Sequence, residues 1–407
     1  SFQGEDAMSA RQNHSRLPVA SRTEALKAGS SDAWAVHYAG TDMQEKGEDV
    51  IILTIGDPDF ETPEPIAAEA MASIRRGETH YTPANGIPEL REAIRQVESK
   101  RLGWDIPLEC IVYTQGAQNG LYAVLQTIVE PGREVLSIDP AYPTFPAVIG
   151  GAGGHIVRVP LKETNGQFRF DAEAAERAIT DRTCAFLFNF PHNPTGASLN
   201  REEAEAVVAL CRRHNIWLVC DEVYAELTFD APYVSPLSLP DARDTTISIR
   251  SMSKSHAMSG WRVGWSIAPA EQAMHIQNAA NAMLFGGPEF VQRAAAAGLG
   301  LNIADEMRAA YQRRRDLLVE KIAASSHLKI IRPESGIFAL IDVRPTGLSD
   351  EDFAWKLLRE RNVAVLPAAS FSELTEGFVR VSLCVPDDDL AEAADRIAAL
   401  AGELATG

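Results

Sequence analysis

The chain has 407 residues, 45% of them hydrophobic and 23% charged, a globular balance with apolar side chains enough for a large core. Its net charge of −18, from 38 Lys+Arg against 56 Asp+Glu, argues against nucleic acid or an anionic membrane as partner, since both need a basic surface. Five scattered cysteines (Cys110, Cys184, Cys211, Cys220, Cys384) contain no CxxC and read as small core residues in a reducing, cytoplasmic compartment, with neither a disulfide framework nor a metal site.

No apolar run approaches the ~20 residues of a spanning helix, and the polar, acidic beginning is no secretory signal. Residues 1–17 lack periodicity and are expected to be a mobile arm. A chain of this length predicts two domains. Residues 62–297 should form the larger, an α/β unit. A helix over 64–76 follows Thr62, and another over 88–101 opens at Pro88, where a missing N–H costs nothing. A third opens at Gly116 and runs to about Val129. Five short apolar runs follow: Glu134–Ile138, Cys184–Phe188, Ile216–Cys220, Thr245–Ile249 and Val263–Ala268. Their length and near-continuous apolarity suit strands covered on both faces. Between two of them Ala204, Val207, Val208 and Cys211 make a helical stripe. This alternation is a doubly wound, mostly parallel pattern.

Beyond about 290 the texture changes. A long helical stretch carries Met307, Tyr311, Leu318 and Ile322 on one face and leads to a strand at Ile337–Val343. A helix near 351–361, strands near 363–366 and 378–383, and a closing helix through Leu390, Ala393, Ala394, Ile397, Leu400 and Ala401 complete it. Residues 298–407, together with 18–61, are expected to form a smaller α+β domain, with a cleft between the two.

The most informative stretch is Ser251-Met-Ser-Lys-Ser-His-Ala-Met-Ser-Gly-Trp-Arg-Val-Gly-Trp265. It places Lys254 just past the carboxyl end of a strand, the edge of an open α/β sheet where ligands bind. An amine beside a cation and out of bulk water deprotonates more easily, as a Schiff-base nucleophile requires. Ser251 and Arg262 supply a hydroxyl and a guanidinium fork suited to phosphate. Asp221 ends another apolar run at the same edge, where a carboxylate can pair with a ring nitrogen. Gly116-Ala117-Gln118 opens a helix whose N–H groups can approach a phosphate. Taken singly these are ordinary features: a surface lysine, a capping aspartate, a glycine before a helix.

Together they resemble the fold-type I aminotransferases of class I/II over nearly the whole chain. The matching motifs are the lysine segment, Gly56-Asp-Pro-Asp-Phe60, Tyr81-Thr-Pro-Ala-Asn-Gly86, Gly116-Ala-Gln118, Pro140-Ala-Tyr-Pro143, Asn193-Pro-Thr-Gly196, Asp221-Glu-Val-Tyr224 and Arg380-Val-Ser382. The resemblance implies an α/β transferase fold, pyridoxal 5'-phosphate bound covalently at Lys254, and ping-pong transfer between an amino acid and a 2-oxo acid. It implies that Asp221 meets the pyridine nitrogen, that Asn193 and Tyr224 donate to the ring's phenolic oxygen, and that Tyr142 stacks on the ring. Gly116, Ala117, Gln118, Ser251, Ser253 and Arg262 would surround the phosphate. Tyr81 would reach the phosphate from the neighbouring subunit of a homodimer with shared active sites. Arg380, expected at the start of a short strand, would bind the substrate carboxylate, and Gly56 would pack close to the substrate.

Several stretches, among them Ser253–Met258, Pro288-Glu-Phe290, Arg313–Asp316, Arg344–Leu348 and Trp34–Tyr38, resemble the arginine–pyruvate type. A guanidinium substrate wants an acidic residue in its pocket, and the sequence does not place one. Aspartate- or aromatic-type transaminases and a β-lyase are the alternatives on the same fold. A regulatory protein of this fold would need a basic DNA-binding module, for which residues 1–50 have neither length nor charge.

Overall fold

The structure is a computed structural model that describes residues 17, 19–27, 34–325 and 327–406. The arm expected over residues 1–17 therefore lies outside the described residues, Leu17 excepted.

A seven-stranded sheet organises most of the chain. Its strands are β1 (Ile111–Thr114), β2 (Glu134–Asp139), β3 (His155–Pro160), β4 (Thr183–Asn189), β5 (Trp217–Asp221), β6 (Thr246–Ser251) and β7 (Gly264–Ile267), in the order β1-β7-β6-β5-β4-β2-β3. β6, β5, β4, β2 and β3 run parallel, while β7 is antiparallel to both β6 and β1. Alternate side chains feed opposite faces, as a pleat requires. Leu136, Phe186, Phe188 and Leu218 join one apolar cluster, and Val135, Leu187, Val219 and Ile249 join the other. Both faces are covered, which is why these strands read as unbroken apolar runs.

Two sheet strands go beyond the five expected. β1 has only four residues and follows directly on a 3-10 turn at Leu108–Cys110, so its short apolar run, Ile111–Tyr113, does not stand out from the turn. β3 is an edge strand whose side chains are mostly exposed or half-buried, and it has no apolar run to read.

Local signals set the helices. Glu64–Arg75 opens after Pro63, and Pro88–Leu102 closes on Gly103 at φ 75°. Arg201–His214 opens with a reciprocal capping box between Asn200 and Glu203. The helical stretch beginning near 290 is two helices, Glu289–Leu299 and Ile303–Ala323, interrupted at Gly300–Asn302. The second buries Arg314 and Arg315 as well as its apolar stripe.

A second, antiparallel sheet takes the order Lys329–Ile331, Phe338–Asp342, Phe378–Ser382, Leu366–Pro367. Arg380 lies in the middle of its strand, not at the start, because the pairing begins two residues earlier at Phe378 opposite Asp342. A two-residue parallel pairing joins Ile51–Ile52 to Val363–Ala364 and attaches residues ahead of the large sheet to this unit. One apolar cluster runs from Ile66 and Leu90 through Tyr311 to Ile337 and Leu390, so the two sheets share a core. No helix among the described residues is long and apolar enough to cross a membrane.

Candidate functional site

Three neighbouring parallel strands end on polar residues: β4 on Asn189, β5 on Asp221 and β6 on Ser251. Asn189 stands opposite Asp221 in register, and its amide donates to the Asp221 carbonyl at 3.3 Å. These ends open into a cavity of about 730 Å³. Lys254 enters it three residues past β6, and its amine donates to the Gly56 carbonyl. Burial, the largest influence, holds the lysine pKa below its usual value.

Asp221 is 6% exposed, and its carboxylate accepts only a long 3.4 Å bond from the Val223 N–H. Burial pushes its pKa up to about 7. A buried carboxylate with no cationic partner among the described residues is costly, and a protonated ring nitrogen would relieve it. That orphaned charge fits a pyridinium.

On one side of the cavity the helix Ala117–Ile128 starts from Gly116, whose φ is 83°. A Cβ there would stand 2.3 Å from Nη2 of Arg262, so this glycine is needed for both backbone shape and clearance. Arg262 donates to the Ser259 carbonyl at 2.6 Å. Ser251 Oγ accepts from the Ser253 N–H at 3.0 Å and lies 2.8 Å from Ser253 Oγ. A helix N-terminus, two hydroxyls and a guanidinium converging on one wall are a donor set made for phosphate.

Across the cavity stand Tyr142, Asn193 and Tyr224. Burial raises the Tyr224 phenol well above its usual pKa and keeps it a hydrogen-bond donor. Tyr142 is held edge-on to Phe145 at 5.7 Å. The neighbouring turn is pinned by His192, which the sequence reading did not single out. Its ring nitrogens lie 2.9 Å from the Pro140 carbonyl and 2.7 Å from Thr195 Oγ1. Burial lowers its pKa to about 4, so it stays neutral.

Arg380 stands behind Asn193 and does not line the cavity. It is 2% exposed, donates to Asn193 Oδ1 at 3.1 Å and to the Thr54 carbonyl at 2.6 Å, and lies 3.9 Å over the Phe338 ring. Its Nε has no partner, and burial lowers its pKa to about 10, which leaves it cationic at neutral pH. Gly56 reaches the site through its carbonyl alone. A Cβ at Gly56 would stand 2.3 Å from Cζ of Phe338, so that ring alone is reason for a glycine here. Tyr81 is 86% exposed and lies outside the cavity, edge-on to the exposed Phe285 at 5.2 Å.

Asn189, Ser259, Leu121 and Val223 also line the cavity. Asn189 had a signal, a polar residue closing the run Cys184–Phe188 beside Asp221; Leu121 and Val223 had none. No cluster of metal-ligating side chains occurs among the described residues.

The family model for aminotransferase class I and II matches residues 48–397. The chain is 44% identical to arginine–pyruvate transaminase AruH of Pseudomonas aeruginosa over 94% of this chain and 98% of that one. It is 34% identical to an aspartate/prephenate aminotransferase of Thermus thermophilus over the same shares. Among solved structures, aspartate aminotransferase from Thermotoga maritima matches with a TM-score of 0.88 at 32% identity, over 94% of this chain and 99% of that one. The Thermus thermophilus aspartate aminotransferase with maleate matches at 0.86 and 33%, over 94% and 100%.

Proposed function

The chain belongs to the class I and II aminotransferases and depends on pyridoxal phosphate; from that premise we propose that it transfers the amino group of L-arginine to pyruvate. Likeness to the arginine–pyruvate transaminase across nearly all of both chains carries the choice of donor and acceptor.

Pyridoxal phosphate, when bound, supplies an aldehyde that takes up an amine and a ring that spreads the charge left when a Cα–H bond breaks. Lys254, its pKa lowered by burial, is the amine that would hold that aldehyde. Displaced by the donor, Lys254 carries the proton to and from Cα. Asp221 holds the ring nitrogen cationic. Ser251, Ser253, Arg262 and the N–H groups of Ala117 and Gln118, cleared by Gly116, hold the phosphate. Asn193 and Tyr224 would orient the ring through its oxygen, and Tyr142 would stack on it. Arg380 takes the donor carboxylate in its planar fork, beside Gly56. Tyr81 serves the neighbouring subunit's phosphate, which makes the working unit a homodimer with shared active sites. Free, scattered thiols favour the cytoplasm.

The test is addition of L-arginine to cofactor-loaded protein without acceptor. The visible absorbance should shift as the 2-oxo acid appears, and pyruvate should restore it while yielding alanine. Faster half-reactions with aspartate or aromatic donors would favour the second reading, which the solved neighbours support. Release of ammonia instead would point to a lyase.

A further inference from the structure

A guanidinium presents five N–H donors on a planar fork, and drawing it out of water without an anion is costly. Several carboxylates near Lys254 are already committed. Asp221 ends β5 on the cavity floor. Asp59 takes both terminal nitrogens of Arg314 at 2.7 and 2.9 Å, and Asp387 is shared by Arg313 and Arg314.

Asp57 is different. It directly follows Gly56, whose carbonyl receives the Lys254 amine, and it is exposed. Its Oδ1 accepts from the hydroxyl of Ser259, a residue of the cavity wall. No Lys, Arg or His pairs with it among the described residues. Its charge also favours the protonated form of Lys254, so the two lie within each other's field. Ser259 is shared with an adjoining groove of about 1280 Å³, floored by Met71, Ile74, Trp261 and Phe290, with Glu61 on its rim. Asp57 itself lines this groove, so an aliphatic chain leaving the cavity beside Ser259 would meet apolar side chains and the carboxylate together.

We propose that Asp57 reads the donor's side chain, accepting the guanidinium of arginine on its free carboxylate oxygen while Ser259 holds the other. This rests on the donor reading given above.

The test compares L-arginine with L-citrulline, its uncharged isostere, in single-turnover half-reactions of the cofactor-loaded enzyme. Asp57→Asn keeps an oxygen acceptor for Ser259 and removes only the charge. The arginine-to-citrulline ratio of rate over dissociation constant should fall ~10- to 100-fold, mostly through the dissociation constant. Asp57→Glu should recover part of it, and Glu163→Gln, on an exposed hairpin that lines neither this cavity nor this groove, should leave the ratio within about twofold. Thermal unfolding checks that each variant folds. A ratio unchanged in Asp57→Asn, with arginine still strongly preferred by the wild type, overturns this inference alone. A wild type that takes citrulline as readily as arginine overturns the donor reading, and this inference with it.

Discussion

The floor and the rim of the cavity are built differently. The floor is mounted on the ends of β4, β5 and β6, where backbone pairing sets Asn189 opposite Asp221 and Asp221 opposite Ile249, two residues before Ser251. The rim lies behind and beyond that lining and comes from elsewhere: the Gly56–Phe60 loop, Arg380 behind Asn193 on the second sheet, and Tyr81 on an exposed stretch. A rigid sheet edge suits chemistry common to every donor. A rim assembled from separate elements can change its taste in substrates without disturbing that chemistry.

Substitutions can break this division, starting with the largest effect. Lys254→Ala should lower turnover at least ~10⁴-fold with every donor while leaving the fold intact, as single-turnover absorbance and circular dichroism would show. Near-normal transfer would sink the role given to the floor.

Asp221→Asn should cost ~10²–10³-fold in kcat with all donors alike. It also makes a stability prediction. In cofactor-free protein the Asp221 pKa, about 7, lies above that of an unfolded chain, so its contribution favours folding at low pH and is lost as pH rises through about 7. Cofactor-free Asp221→Asn should therefore melt higher than wild type above pH ~7, with the gap closing toward the ordinary carboxyl range. Scanning calorimetry across that window checks the sign.

On the rim, Arg380→Lys should raise KM for all donors ~30- to 100-fold, since one ammonium cannot replace a planar fork. Steady-state kinetics should show kcat falling much less. The smallest effect belongs to Tyr81→Phe, which should weaken cofactor retention about fivefold by removing one hydrogen bond. Dialysis against cofactor-free buffer measures it, and a shift independent of whether the protein is dimeric would break the subunit-sharing scheme.

The same division governs how much the sequence disclosed. Floor residues sit at the ends of apolar runs, and Asp221 and the lysine segment could be placed on the sheet edge from pattern alone. Strands buried on both faces announce themselves, whereas β3, an edge strand with polar neighbours, does not. Rim geometry depends on pairings far apart in the chain. That Gly56 is kept small by Phe338, or that Arg380 lies behind Asn193, follows from contacts between residues far apart in the chain, 187 positions in the second case. Buried Arg314 and Arg315 were equally hidden, because paired arginines on a helix look like a solvated face until Asp59 and Asp230 are found opposite them.

Contact between Gly56 and Phe338 reaches further than its two residues. Phe338 belongs to the four-stranded sheet, yet its ring fills the space a side chain at Gly56 would need, beside the carbonyl that takes the Lys254 amine. The size of one side chain on the second sheet thus bears on the carbonyl that holds the Lys254 amine, 198 positions away in the chain.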